Sequence, residues 1–265
     1  MRRSVLGLVA ILLVLAFAIP CLAIPSGLRK KNGEIYDDWN LCRTRSWGKD
    51  GFFQIEGNTF RPAIAFESVG RWAGVAWQVG QSLERKYSGD ELAEHIFSYA
   101  RDRVRYTPDV DQFGYEEFAV NADELAGEVE NLGSGEGDCE DYAILLAVMF
   151  RAAGYRSAVV LAPSHAATLV FMPDYSRANV FWRFKGESGW IWAEATGRNN
   201  PLGWTPSQFI GSSDLLAYEI TPNENVFAAG RGEAPSSGKE GPSLGPVPFS
   251  SIIFLLWILP LFRRR

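Results

Sequence analysis

Residues 143–150 read Ala-Ile-Leu-Leu-Ala-Val-Met-Phe. A helix that is apolar on every side has no face to offer water, so it must lie inside a domain with other elements packed around it. Gly135-Glu136-Gly137-Asp138 stands just before this run and Gly154 just after it. The spacing predicts a helix capped by Asp138 and stopped by Gly154. Cys139 then falls in the first turn of a central, buried helix. At that position the positive end of the helix dipole favours thiolate over thiol. The backbone N–H of Cys139 has no partner within the helix and can donate to an oxyanion. Glycines at 135 and 137 let another chain approach the sulfur closely. Asp138 suits the helix as its cap, yet its charge opposes the thiolate, and a protonated histidine has to outweigh it.

The elements around this helix follow from periodicity. Residues 66–87 place Val69, Ala73, Ala76, Trp77, Val79 and Leu83 at roughly helical spacing. Ser88-Gly89-Asp90-Glu91 reads as a capping box, opening a helix with Leu92, Ile96, Tyr99 and Ala100 on one face and ending near Tyr106-Thr107-Pro108. Residues 109–137 read as loop with one short helix at 122–130. After Gly154 the pattern turns to strands at 157–162 and 167–172, with a turn at Pro163-Ser164. A hairpin is expected from 180–185 and 190–195 around Gly186-Glu187-Ser188-Gly189, and a last strand at 215–220. Helices first and an antiparallel sheet afterwards is an α+β layout.

The chain has two histidines. His95 sits at the edge of an apolar helix face and reads as a half-exposed helix residue. His165 opens a strand, where it can be held rigidly against the helix of Cys139, and is the expected base. The third member of such a site hydrogen-bonds the far imidazole nitrogen. Glu194 lies in Trp190-Ile191-Trp192-Ala193-Glu194-Ala195-Thr196, sharing a strand face with Trp190 and Trp192. A carboxylate on an aromatic face needs a partner, and His165 is the natural one, unless Glu194 lies at an exposed strand end. Asp174 is a rival, although Met172-Pro173-Asp174 reads as a turn. A Cys42–Cys139 disulfide is the alternative use of the nucleophile, but so few cysteines argue against a disulfide-stapled domain.

Gly137-Asp138-Cys139-Glu140-Asp141-Tyr142-Ala143, then His165-Ala166-Ala167, then Trp192-Ala193-Glu194-Ala195-Thr196 resemble the transglutaminase-like superfamily, of the archaeal and bacterial cysteine peptidase type. Its pattern is Gly-x-Cys-x-x-x-Ala at a helix start, a His opening a strand and Asp-x-Thr on the next strand. The resemblance implies a papain-like/transglutaminase-like core, with the Cys-bearing helix packed on an antiparallel sheet. It also implies Cys139 as nucleophile, His165 as base and Glu194 as orienting acid. Glu stands where the family usually has Asp, and the strand register or the histidine position must absorb the extra methylene. No cofactor is required. In one bacterial branch, periplasmic proteases that cut biofilm adhesins, the acidic residues flanking the cysteine bind calcium. Asp138 and Glu140 match those positions and Asp141 could add an oxygen, although helix capping is the simpler account.

The termini set the expected domain plan. Met1-Arg2-Arg3, an apolar run to Ile19 and Pro20-Cys21-Leu22-Ala23 have the layout of a signal peptide over residues 1–23. Ile19-Pro20 before Cys21 is a poor lipobox. Residues 24–88 form the N-terminal part of the domain and 89–221 the core. Residues 222–246 are a Gly/Pro/Ser-rich stalk. Residues 247–265 read as a short anchor, or as a tail resembling an archaeal sorting signal, closed by Arg263-Arg264-Arg265. The expected location is therefore the cell surface, attached to the membrane through the C-terminal segment. A hydrophobic content of 47% supports a sizeable core, and a net charge of −5 argues against nucleic acid as a partner. The expected substrate is a surface protein or a peptide-containing wall polymer, and the expected activity is hydrolysis of a peptide or isopeptide amide. Transfer to a lysine amine, with Trp182, Trp190, Trp192 and Trp204 lining an acceptor channel, and a non-catalytic binding module are the alternatives.

Overall fold

The computed structural model describes residues 27–57, 59–222 and 232–237. The expected signal peptide, the C-terminal tail and most of the stalk lie outside the described residues. Among the described residues no helix is long and apolar enough to cross a membrane.

The N-terminal part holds a hairpin of β1 (Arg29–Lys31) and β2 (Glu34–Tyr36), then 3-10 turns at Ala63–Ser68 and Gly70–Trp72. The helices are α1 (Val75–Glu84), α2 (Gly89–Arg103), α3 (Asp109–Gln112), α4 (Ala122–Leu132) and α5 (Cys139–Ala152). Two short strands, β3 (Val104–Tyr106) and β4 (Gly135–Gly137), pair in parallel between them. Then follow β5 (Ser157–Ala162), β6 (His165–Phe171), β7 (Trp182–Phe184), β8 (Glu187–Ala193), β9 (Leu216–Glu219) and β10 (Ser236–Ser237). The architecture is the expected α+β one.

Helix α5 is the predicted central helix. Every residue from Ala143 to Phe150 is at most 1% exposed, because α1, α2 and α4 pack on one side and β5 and β6 on the other. Two sheet hydroxyls tie the layers together. Ser157 Oγ donates to the Ala147 carbonyl at 2.6 Å and Thr168 Oγ1 to the Ala143 carbonyl at 2.8 Å.

The antiparallel sheet runs β10-β7-β8-β6-β5-β9, six strands that laid flat would hold their edges about 24 Å apart. Yet Glu233 bridges Ala217 in β9 while Ser236 and Ser237 pair with β7, and three residues reach only about 10 Å. The sheet is therefore curled, with residues 232–237 drawing its two edges together. Within the expected stalk, this piece of chain is held against the sheet. The curl gives two cores of opposite strand faces. Val159, Leu161, Ala166, Val170 and Ile191 face the helices, whereas Val160, Leu169, Trp182, Trp190 and Trp192 fill the inside of the curl. Burial on both faces explains why β5 reads as a continuous apolar run. The three tryptophans in the curl are each 0% exposed, so they are core and line no channel; truncating one to Ala should cost about 3–5 kcal/mol.

Three expectations shift. The helix predicted over 66–87 begins only at Val75. Gly70 takes a φ of +60, and a side chain there would meet the Pro222 carbonyl. The cap of α1 comes from another element, Asp123 Oδ1 accepting the Ala76 N–H at 2.8 Å. Ser88 does precede α2, but its side chain makes no cap bond, because Gly89 turns the chain with a φ of +54. The hairpin turns at Lys185-Gly186, both at positive φ, so β8 begins at Glu187 instead of Trp190.

The N-terminal segment is locked to the core by Arg43, which is 0% exposed. It pairs with Asp37 at 2.6 Å, Glu67 at 3.0 Å and Glu124 at 2.9 Å. A buried guanidinium cannot shed its proton, so the carboxylates around it are what make its burial tolerable. Its neighbour Cys42 contacts Glu34 and Thr44. Both Cys42 and Cys139 are free thiols, so the alternative disulfide is not formed.

Candidate functional site

The start of α5, the start of β6 and the end of β8 meet at one place. Strands β5 and β6 join through the two-residue turn Pro163-Ser164, with Ala162 paired to His165. Ser164 takes a φ of +54 to make that turn. The antiparallel register that sets Thr168 opposite Ala193 runs the end of β8 back toward the start of β6. That brings Glu194, the residue just past β8, to His165.

Glu194 Oε2 lies 2.5 Å from His165 Nε2, and Trp192 Nε1 donates to the same oxygen at 3.3 Å. Glu194 Oε1 accepts from the backbone N–H of Thr196 at 3.4 Å and from the Thr196 hydroxyl. Burial alone pushes the Glu194 carboxyl up, but the bonds from His165, Thr196 and Trp192 outweigh it and hold the group below its ordinary range. An ionised carboxylate only accepts, so Nε2 carries the imidazole proton and Nδ1 is left as the acceptor. The longer side chain of Glu is absorbed by its place beyond the strand end. Asp174 is not the partner of the histidine.

The imidazole is also clamped by rings. Phe209 stacks parallel to His165, with centroids 5.5 Å apart and planes at 8°. Trp192 stacks on Phe209 at 5.5 Å and 21°. His165, Phe209, Trp192 and Glu194 thus form a closed circuit of contacts. Phe209 was not legible as a site residue, because it arrives from a 3-10 turn at Ser207–Phe209 far along the chain from any motif.

Cys139 is partly buried. Its sulfur donates to Glu140 Oε2 at 3.3 Å and is bonded by the backbone N–H of Ala166, the neighbour of His165. Burial first, then the charge of Asp138, push its thiol up to about 12, against the opposing effect of the Ala166 N–H. The expected preference for thiolate is therefore reversed by the surroundings: the helix end is outweighed by desolvation and the adjacent carboxylate.

That carboxylate belongs to a larger group. Asp109, Asp138 and Asp141 bring oxygens within 4.8 Å of one another, and Asp138, Cys139 and Glu140 form a second such group. Asp141 takes the Val120 N–H at 2.8 Å and the Asp138 N–H at 3.2 Å. Asp109 is 2% exposed, and Asp109 Oδ1 and Asp138 Oδ1 are buried without a partner. Burial and Asp138 push the Asp109 carboxyl up to about 8 and that of Glu117 to about 7. Asp109 and Glu117 were missed in the sequence. They reach the site because β3 pairs with β4 in parallel, Tyr106 opposite Gly137, and three-residue strands leave no periodic signal.

A cleft of about 570 Å³ opens beside His165 and Glu194, walled by Tyr106, Trp204 and Phe209. Of the four tryptophans considered, only Trp204 reaches it. His95 lies elsewhere, stacked on Tyr87 with centroids 3.7 Å apart and half-buried as expected.

A family model for the transglutaminase-like superfamily matches residues 74–208, a span that holds α1 to α5, the Cys, His and Glu of this site and the Phe209-bearing turn up to its second residue. No curated protein matches the chain. The match covers half of the sequence and agrees with the curled antiparallel sheet behind a Cys-bearing helix: the chain belongs to the transglutaminase-like superfamily.

Proposed function

We propose that this protein is a thiol hydrolase that opens peptide or isopeptide amides through Cys139, His165 and Glu194. Membership of the superfamily typically means cysteine peptidase or transglutaminase activity. The observation that carries the reading is the 2.5 Å contact of Glu194 with His165 Nε2. It leaves Nδ1 as the base while the neighbouring Ala166 N–H touches the Cys139 sulfur.

The reaction then runs in two halves. His165 Nδ1 takes the Cys139 proton as the sulfur attacks the carbonyl carbon, so the high thiol pKa is met by concerted transfer. The oxyanion that forms faces the Cys139 backbone N–H. Imidazolium protonates the leaving amine, the C–N bond breaks, and a thioester remains on Cys139. Water, deprotonated by His165, attacks the thioester and the thiolate leaves with the proton from imidazolium. Glu194 stays ionised throughout and stabilises the imidazolium.

Calcium is part of the same proposal. The donor set is all oxygen, as calcium prefers, and the partnerless Oδ1 atoms of Asp109 and Asp138 fit a cation. Asp109, Asp138 and Asp141 would hold it, with Glu140 on the sulfur side. When bound, the ion would supply positive charge against the carboxylates that oppose the thiolate. The proposed setting is the cell surface, with a surface protein or peptide-containing wall polymer as substrate and the C-terminal segment as the membrane attachment.

The test uses the full chain and an activated acyl ester, with mass spectrometry of Cys139. A transient acyl adduct that decays to acid in water is expected, and it disappears in Cys139→Ala. Decay only when an amine is added would make the protein a transglutaminase. Absence of any adduct would leave a binding module.

A further inference from the structure

The cleft beside His165 has a lining unlike the surroundings of the sulfur. Asp109, Glu117, Asp138, Glu140 and Asp141 crowd around Cys139, and Asp138, Glu140 and Asp109 act on the Tyr106 hydroxyl, but none of these acids lines the cleft. In the cleft, the rings of Tyr106, Trp204 and Phe209 form walls, and the polar atoms come from neutral groups such as Asn200 and Gln208. Among the described residues, the charged ones that line it are His165 and Glu194, which are bonded to each other. Among the described residues that line the cleft, a charged side chain placed there finds no free partner to pair with, and desolvating an unpaired charge is costly. An uncharged side chain gains apolar contact with the rings.

The chemistry also fixes which part of the substrate lies there. The leaving nitrogen must come within hydrogen-bond reach of His165 to be protonated. The chain beyond that nitrogen therefore passes His165 and enters the cleft that His165 lines. We infer that this cleft is the subsite for the first residue on the leaving-amine side of the scissile amide, and that it selects an uncharged apolar or aromatic side chain over a charged one. This rests on the hydrolase reading above. Trp204 is the wall residue that sets the preference, and Gln208 is the rim position where charge could be introduced.

Acyl transfer in reverse reads this subsite directly, because an amine that attacks the thioester occupies the place of the leaving amine. Full-length protein acylated at Cys139 by an activated ester is offered the amides of Phe, Leu, Arg and Glu in competition with water. The Phe and Leu amides should capture the acyl group at least about tenfold better than the Arg and Glu amides, the order that one side chain's fit in a pocket gives. Trp204→Ala should reduce that preference several-fold, read as the ratio of Phe-amide to Arg-amide capture from the same acylated protein. Gln208→Glu should raise capture by the Arg amide. Equal capture of all four, or preferred capture of a charged amide by the natural protein, overturns the subsite while leaving the hydrolase intact. Failure to form the Cys139 adduct at all overturns both, and is seen in the mass spectrum before any amine is added.

Discussion

The two ends of the site are built differently. At the histidine end both carboxylate oxygens are used: Glu194 takes bonds from His165, Trp192 and Thr196, and Phe209 fixes the ring plane. At the cysteine end, buried oxygens of Asp109 and Asp138 have no partner, and the thiol is held neutral by burial and by the charge of Asp138. The base is thus preorganised by protein atoms alone. The nucleophile is not, and needs a proton acceptor and a counter-charge at the moment of reaction. On the proposed reading, calcium would enter where the polar network is unsatisfied.

Breaking the complete end should have the largest effect. Glu194→Gln keeps the size but loses the charge that sets the imidazole tautomer. Ester turnover should fall about 10²–10⁴-fold, judged from what triad acids contribute elsewhere. Phe209→Leu keeps apolar volume but removes the flat face against His165. It should lower kcat about 10–100-fold with little change in KM, while Phe209→Tyr retains most activity. A parallel loss in Phe209→Tyr would mean that Phe209 only packs.

The incomplete end is probed by calcium. Thermal unfolding of the natural protein should move to higher temperature with added calcium, by about 2.7 kcal/mol of stability at a hundredfold excess over Kd. Asp109→Asn should lose that shift. A natural protein whose Tm ignores calcium would remove the ion from the site.

The smallest effect lies away from both ends and serves as the control. Glu219 pairs with Arg156 at 2.6 Å and Lys185 at 3.1 Å. Burial raises the Glu219 carboxyl, but those bonds outweigh it and hold it below its ordinary range. A depressed folded pKa contributes stability above the unfolded value of about 4.3, lost as pH falls through the folded one. Glu219→Gln should therefore cost about 1–2 kcal/mol at pH 7, and the gap from the natural protein should close as pH falls below the unfolded value and through the depressed folded one. Turnover should not change.

The contrast between the two ends also tracks what the sequence made legible. Helix α5 and strand β5 were readable because burial on all sides leaves an unbroken apolar run, in α5 bounded by Asp138 and Gly154 and in β5 by Gly154 and Pro163. His165 and Glu194 followed from a scarcity of histidines and from a carboxylate on an aromatic strand. The rest depends on long-range contacts. Asp109 reaches Asp138 through a three-residue parallel pair, Phe209 reaches His165 from a distant turn, and α1 is capped by Asp123 from α4. The buried Arg43 network leaves no local signal, since nothing nearby in sequence distinguishes an arginine that will be enclosed by three carboxylates. Asp138 is only half legible: its capping place is clear, but the net rise of the Cys139 thiol depends first on how deeply the sulfur is buried and then on the acids beside it.

The central claim is that His165 controls the reactivity of Cys139. The most direct measurement is the rate of Cys139 alkylation by iodoacetamide across pH, mapped by mass spectrometry on the full chain, in the natural protein and in His165→Ala. In the natural protein burial and Asp138 push the thiol up to about 12, so the expected result is alkylation of Cys139 that rises only toward alkaline pH, and slower alkylation at each pH in His165→Ala, which lacks the imidazole that takes the proton. Identical profiles in the two proteins would contradict it.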